Sequence, residues 1–143
     1  MPFPFEICRS GGALDGVPAA VSVQVADLHA WGIESRLASA AGFEGCYQGF
    51  VPDLARDWLA AQPADSLVEM QVVSCGPMPM LAATATLARD YGLPCQIAVE
   101  EYMACGVGGC AGCTLLVQTP AGPAMKRVCV DGPVFEAQDV FPA

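Results

Sequence analysis

Three cysteines and four glycines stand among the nine residues of "CGVGGCAGC", Cys105 to Cys113, and Cys129 follows in "KRVCVDGP". The spacing is C-x4-C-x2-C with a distant fourth cysteine, the plant-type pattern for a two-iron, two-sulfur cluster. The four-residue gap lets the chain loop over a cluster, and the two-residue gap sets two thiolates on neighbouring corners. A hairpin between Cys113 and Cys129 would return the fourth thiolate to the same place. Glycines at 106, 108, 109 and 112 permit positive φ and let backbone N–H groups approach the negatively charged sulfurs. Three other readings compete. Structural zinc also takes four cysteines, but usually as two widely separated C-x2-4-C pairs. Disulfides belong to oxidising compartments, and unligated thiols would leave the glycine density without a reason. The metal reading therefore assigns Cys105, Cys110, Cys113 and Cys129 as ligands.

The remaining titratable and nucleophilic groups offer less. Cys8, Cys46 and Cys95 read as free, partly buried thiols that behave as small hydrophobes. Cys75 ends an apolar run and precedes "GPMPM", so it is balanced between a core residue and a site residue at a strand's carboxyl end. His29 is the only histidine, which removes the catalytic triad and the histidine-rich metal site; no catalytic residue is assigned. "GGALDG" at 11–16 lacks the flanking strand and helix of a dinucleotide fingerprint. Glu100 and Glu101 read as solvated. Lys126 and Arg127 read as a solvated hairpin edge, ahead of a role in offsetting the cluster's charge.

The elements that must position these groups come from apolar periodicity. "VADLHAWGI" at 25–33 reads as a short helix ended by Gly32, and "SRLASA" as a brief strand. "VPDLARDWLAAQ" reads as an amphipathic helix with Pro52 in its first turn and Leu54, Trp58 and Leu59 on one face. "LVEMQVVSC" at 67–75 has the length and β-branched content of a buried strand. A helix follows from about Pro79, ended by Gly92 and Pro94, and "CQIAVE" returns as a strand. Strand, helix, strand with short turns is a parallel βαβ unit. The final segment reads as a hairpin, "TLLVQT" and "AMKRVCV" about a turn at "PAGP". The fold class is thus α/β with a parallel sheet over residues 1–97, followed by a small β-hairpin iron–sulfur module over 98–143.

Composition narrows the function classes. Six basic residues against fifteen acidic ones give a net charge of −9, which repels phosphate backbones and anionic lipid. No nucleic acid and no membrane is expected as a partner. The N-terminus lacks the basic and continuous apolar regions of a secretory signal, and no 18-residue apolar run exists. A cytoplasmic location follows as the expectation, and with it thiols that bind metal rather than pair.

Together "SCGPMPML", "YGLPCQIAVEEYMACGVGGCAGC" and "KRVCVDGPVF" resemble the electron-transfer subunits of dihydroorotate dehydrogenase, within the ferredoxin–NADP reductase superfamily. The likeness covers residues 70–140, and "GIESRLAS" and "GCYQGFVPDLARDWL" look like the middle of that family's nucleotide-binding domain. The resemblance implies an FAD-binding barrel, an NAD-binding α/β domain and a C-terminal two-iron, two-sulfur module. Electrons would pass between nicotinamide, FAD and cluster, and on to the flavin of a catalytic subunit that oxidises dihydroorotate in pyrimidine biosynthesis. It also implies that Cys105, Cys110, Cys113 and Cys129 hold the cluster. Cys75, Gly76 and Pro77 match a C-G-P motif beside the nicotinamide and flavin rings, with Met80 starting the helix behind it.

The chain departs from the family in lacking the flavin-binding barrel and the first glycine-rich phosphate loop, and in carrying Pro52 where "G-x-V-T-D" would place Thr. The expectation is a C-terminal part of a reductase subunit: an electron-transfer component, not a complete enzyme, with FAD and NAD binding not expected of these residues alone. Its partner would be a catalytic flavoprotein subunit or a separate FAD-binding half. The alternative of another class is a structural or interaction module stapled by a four-cysteine zinc site without redox activity.

Overall fold

Prolines, glycines and β-branched residues break the chain into short elements in the computed structural model, which describes residues 3–143. Two compact units divide it, one ending at Ala64 and one running from Asp65 to Ala143.

In the first unit β1 (Ile7–Arg9) pairs antiparallel with β2 (Val23–Val25), Cys8 standing opposite Gln24. The proline- and glycine-rich segment before residue 20 thus contributes a strand. Next comes α1 (Ala26–Ala30), where the helix of 25–33 was expected. The brief strand of "SRLASA" is β3 (Ala38–Ser39), parallel to β4 (Tyr47–Gln48). α2 (Val51–Ala60) carries Pro52 in its first turn, where the missing N–H has no helical acceptor to lose. Leu54 and Leu59 of α2 are buried with Val21 and Val23, while Trp58 is only half-buried. The short α3 (Ala64–Leu67) lies at the join between units.

The second unit is built on a parallel pair. β5 (Val72–Cys75) lies beside β6 (Cys95–Ala98), from Val72 opposite Cys95 to Cys75 opposite Ala98. Between them α4 (Met78–Asp90) covers the sheet with Leu81, Thr84, Ala85, Leu87 and Ala88 buried. The expected βαβ unit is therefore present. The strand expected over 67–75 is shorter and differently placed: residues 64–67 are helical, and β5 is an edge strand with Val73 71% exposed. Its inward residues face α4, as the contact of Ser74 Oγ with Thr84 Oγ1 at 3.5 Å records. The buried residues of this sheet belong instead to the central β6, where Cys95 and Ile97 are buried and Gln96 and Ala98 half-buried.

β7 (Thr114–Thr119) and β8 (Gly122–Arg127) form an antiparallel hairpin about Pro120 and Ala121, with Thr114 opposite Arg127 at its open end. The second strand stops at Arg127 rather than running through "VCV". α5 (Val128–Asp131) takes over, because the Asp131 carboxylate accepts the Arg127 backbone N–H at 2.7 Å, much as a capping box closes a helix start. β9 (Val134–Glu136) then adds antiparallel to β6, and α6 (Ala137–Val140) is tied to α4. The Arg89 guanidinium donates to Gln138 Oε1 and the Phe141 carbonyl, and the Gln138 amide to the Ala85 carbonyl. The β5–β6–β9 sheet therefore crosses the expected division at 97/98, while the compact units part at 64/65. The result is a mixed α/β fold with parallel and antiparallel sheets.

Candidate metal centre

The hairpin brings Cys113 and Cys129 together. Cys113 immediately precedes β7 and Cys129 is the second residue of α5, so both sit at the hairpin's open end. The Val128 N–H extends the ladder to the Cys113 carbonyl at 3.0 Å, and the Cys129 N–H donates to Cys113 Sγ at 3.4 Å. Cys113 is buried and Cys129 half-buried.

Cys105 and Cys110 are both exposed, in a loop without regular structure. The Gly112 N–H donates to Cys110 Sγ at 3.4 Å. The Cys105 sulfur faces the Val107 amide, the Cys110 thiol and the amides of Cys110 and Gly109, which together hold its pKa down at about 6. Donors trained on a sulfur favour its charged form. In the other pair the Cys129 amide, then its thiol, lowers Cys113. Cys129 is raised, first by its hydrogen bond with the Cys113 thiol, then by desolvation and by the Cys113 charge; the Gly108 amide opposes this. Cys105 also acts on Cys129 through its charge, which links the two pairs.

Two of the four loop glycines use the left-handed region, Gly106 at φ 64° and Gly108 at φ 79°. Gly109 and Gly112 instead supply amides to sulfur, and Ala111 takes a φ of 55° in the same loop. Among the described residues, no three His, Cys, Asp or Glu side chains gather about one ion position. The donors come as two pairs, Cys105 with Cys110 and Cys113 with Cys129, and the charge of Cys105 reaches Cys129.

The second set of expected residues gathers at the β5–α4 turn. Cys75 ends β5 and is exposed. Gly76 has φ 154°, and a Cβ there would lie 2.4 Å from Met80 Cε. Pro77 is the residue before α4, and its carbonyl accepts the Met80 N–H at 2.9 Å. These four residues thus share one turn at the carboxyl end of a parallel strand. No hydrogen bond or ion pair joins them to the four cysteines among the described residues. Cys95 is buried and His29 exposed, as befits residues without a site role. A cavity of 310 Å3 in the first unit, walled by Leu14, Leu54, Trp58 and Arg36, takes in none of the expected residues.

The sequence reading missed Arg127. Its Nη1–H donates to the Gly108 carbonyl at 2.7 Å, and its Nε lies 3.8 Å from Asp131 Oδ2. It is no freely solvated hairpin edge. The only sequence signal is its position two residues before Cys129, which sets it beside the loop once the hairpin closes.

A cysteine loop with amides aimed at its sulfurs, closed by a hairpin that returns a fourth thiol, defines the class of small iron–sulfur modules. Residues 100–141 match the family model of the iron–sulfur cluster binding domain of dihydroorotate dehydrogenase B. Among curated relatives, the dihydroorotate dehydrogenase B (NAD(+)) electron transfer subunit of Caldanaerobacter subterraneus is 49% identical over 70 residues, 49% of this chain and 28% of that protein. The probable subunit of the same name from Methanopyrus kandleri is 33% identical over 114 residues, 80% of this chain and 38% of that protein. The subunit from Fusobacterium nucleatum is 38% identical over 93 residues, 65% of this chain and 33% of that protein. The chain spans about a third of the length of these relatives. A solved structure described as an NADH-dependent reduced ferredoxin–NADP oxidoreductase aligns at 27% identity and a TM-score of 0.48, over 69% of this chain and 32% of that one. The resemblance to the electron-transfer subunits is borne out by the family model and these relatives. No helix of the described residues is long and apolar enough to cross a membrane.

Proposed function

We propose that this chain binds a two-iron, two-sulfur cluster through Cys105, Cys110, Cys113 and Cys129 and serves as an electron-transfer component of an NAD- and FAD-linked reductase. The observation that carries this reading is the two linked thiol pairs with backbone amides aimed at their sulfurs. When bound, the cluster accepts and releases one electron at a time. The exposed Cys105 and Cys110 and the more buried Cys113 and Cys129 would be its ligands. The amides of Val107, Gly109 and Cys110 offset the charge that the Cys105 thiolate brings.

The names of the relatives, electron transfer subunits of dihydroorotate dehydrogenase B, support a place in dihydroorotate oxidation beside a partner subunit, read here as a catalytic flavoprotein. Residues 1–97 are read as part of a ferredoxin–NADP reductase-like nucleotide-binding domain and 98–143 as the cluster module. Cys75, Gly76, Pro77 and Met80 are read as the turn that meets the nicotinamide and flavin rings, supported by its place at the carboxyl end of β5. The turn is read as meeting the rings while the phosphates are held elsewhere in the reductase, and FAD or NAD binding by these residues alone is not proposed. Eight free cysteines fit a reducing cytoplasm.

Anaerobic purification tests the reading. Red-brown protein with about two iron and two sulfide per chain, reducible in a reversible titration, is the expected result. Colourless protein holding one zinc would sink it and favour the structural staple.

A further inference from the structure

Gly108 is where the cysteine loop meets the end of the hairpin, and residues around Cys129 converge on it. The Arg127 guanidinium holds its carbonyl at 2.7 Å. Its amide faces the Cys129 sulfur. Its missing side chain makes room for Val130, whose Cγ2 would lie 2.4 Å from a Cβ at Gly108. Asp131 fixes Arg127 in turn, accepting its backbone N–H at 2.7 Å and standing 3.8 Å from its Nε. Arg127, Val130 and Asp131 are not thiols, yet they govern the contact between the loop with Cys105 and Cys110 and the hairpin end with Cys113 and Cys129.

We infer that Arg127 is a positioning residue for the cluster site, holding the Gly108 carbonyl so that the loop stays closed on α5 and the Gly108 N–H stays on Cys129 Sγ. The inference rests on the cluster reading above. Its electrostatic sign follows from charge. Reduction adds a negative charge, and an N–H donor at a ligand sulfur stabilises the reduced state more than the oxidised one. Losing that donor therefore moves the reduction potential to a more negative value.

The test compares Arg127→Met and Arg127→Lys with the unsubstituted protein, all purified anaerobically. Methionine keeps an apolar stem and removes the donors; lysine keeps the charge and a donating ammonium. Iron and sulfide in the unsubstituted protein check the cluster reading separately, so its failure cannot be mistaken for failure of this inference. Arg127→Met is expected to show a more negative potential in a redox titration followed by electron paramagnetic resonance. Its iron should pass to a chelator about three- to tenfold faster, the range for one charge-assisted hydrogen bond discounted for partial exposure. Arg127→Lys should recover most of both effects. Unsubstituted values in Arg127→Met, or an Arg127→Lys as impaired as Arg127→Met, would overturn the inference. Should Arg127→Met retain no cluster, loading of Arg127→Lys with unsubstituted release supports it, and failure of both overturns it.

Discussion

Substituting Gly108 by alanine isolates the tightest contact in the cysteine loop. Two effects add. Gly108 sits at φ 79°, where a Cβ meets its own backbone, worth roughly 1–2 kcal/mol. The same Cβ would lie 2.4 Å from Val130 Cγ2, well inside van der Waals contact. Overpacking of this kind costs roughly 1–3 kcal/mol in a closed core. Val130 is half-exposed at 51%, so the lower part of that range applies. Its β-branched side chain still has few rotamers to turn into on the short α5. The sum is about 2–3 kcal/mol, carried by the contact between the loop and α5. Thermal melting of the iron-loaded protein and the rate of iron loss to a chelator would both read it. The companion Val130→Ala separates the terms: alone it should change stability by under about 1 kcal/mol, since a half-exposed side chain gives up little buried area. Combined with Gly108→Ala it should restore the overlap part and leave only the φ part. An unshifted melt and release rate for Gly108→Ala, or a double substitution no better than Gly108→Ala, would refute this account of the contact.

Cys129→Ser is expected to abolish the visible absorption of the cluster, and iron retained at the unsubstituted stoichiometry would remove Cys129 from the ligand set. In cluster-free protein the Cys105 thiol, at about 6 against an ordinary 9.0, should alkylate with a midpoint near the lower value when mapped by mass spectrometry. The corresponding stability contribution is fully present above the unfolded value and is lost as pH falls through about 6, because only the unfolded thiol holds its proton between the two; a melt that stays flat across that window would contradict it. Arg89→Ala removes donors to Gln138 and Phe141 and should lower stability by about 1–2 kcal/mol, with hydrogen exchange rising first in α6. Leu81→Ala opens a cavity at a fully buried position and should cost about 2–5 kcal/mol in denaturant unfolding.

The parts legible in the sequence are those whose cause is local. Pro52 and the apolar spacing of Leu54 and Leu59 mark α2 without reference to anything distant. The run ending at Cys75, the helix to Asp90 and "CQIA" announce the parallel pair because each carries its own period and its own stop. Burial was less legible: Val72 and Val73 look alike in sequence, yet α4 covers the face that holds Val72 and Ser74 and leaves Val73 exposed on the other. β9 is three residues long, too short for any period, and exists because β6 has a free edge to pair. The end of β8 was misread for a related reason. "KRVCV" has strand composition, but the Asp131 carboxylate reaches back to the Arg127 N–H and turns the chain into α5. Arg127 itself acts on Gly108 across nineteen positions of sequence, a relation that no window of local composition contains.

The turn into α5 also explains how the fourth cysteine can be so far away in sequence yet so close to the third. A strand continued through Cys129 would send alternate side chains to opposite faces and carry the chain past the hairpin's end. A helical turn beginning at Val128 instead folds the backbone back on itself. The Val128 and Cys129 amides are then addressed in succession to the carbonyl and the sulfur of Cys113. One residue, Cys113, therefore receives two consecutive N–H groups from the returning chain, one closing the ladder and one reaching its thiolate. The hairpin sets the distance between its ends through its register, and α5 converts that register into a thiol pair. The loop pair has no ladder behind it and relies on amides of its own residues, Val107, Gly109, Cys110 and Gly112, which is why the contact at Gly108 must hold the two pairs together.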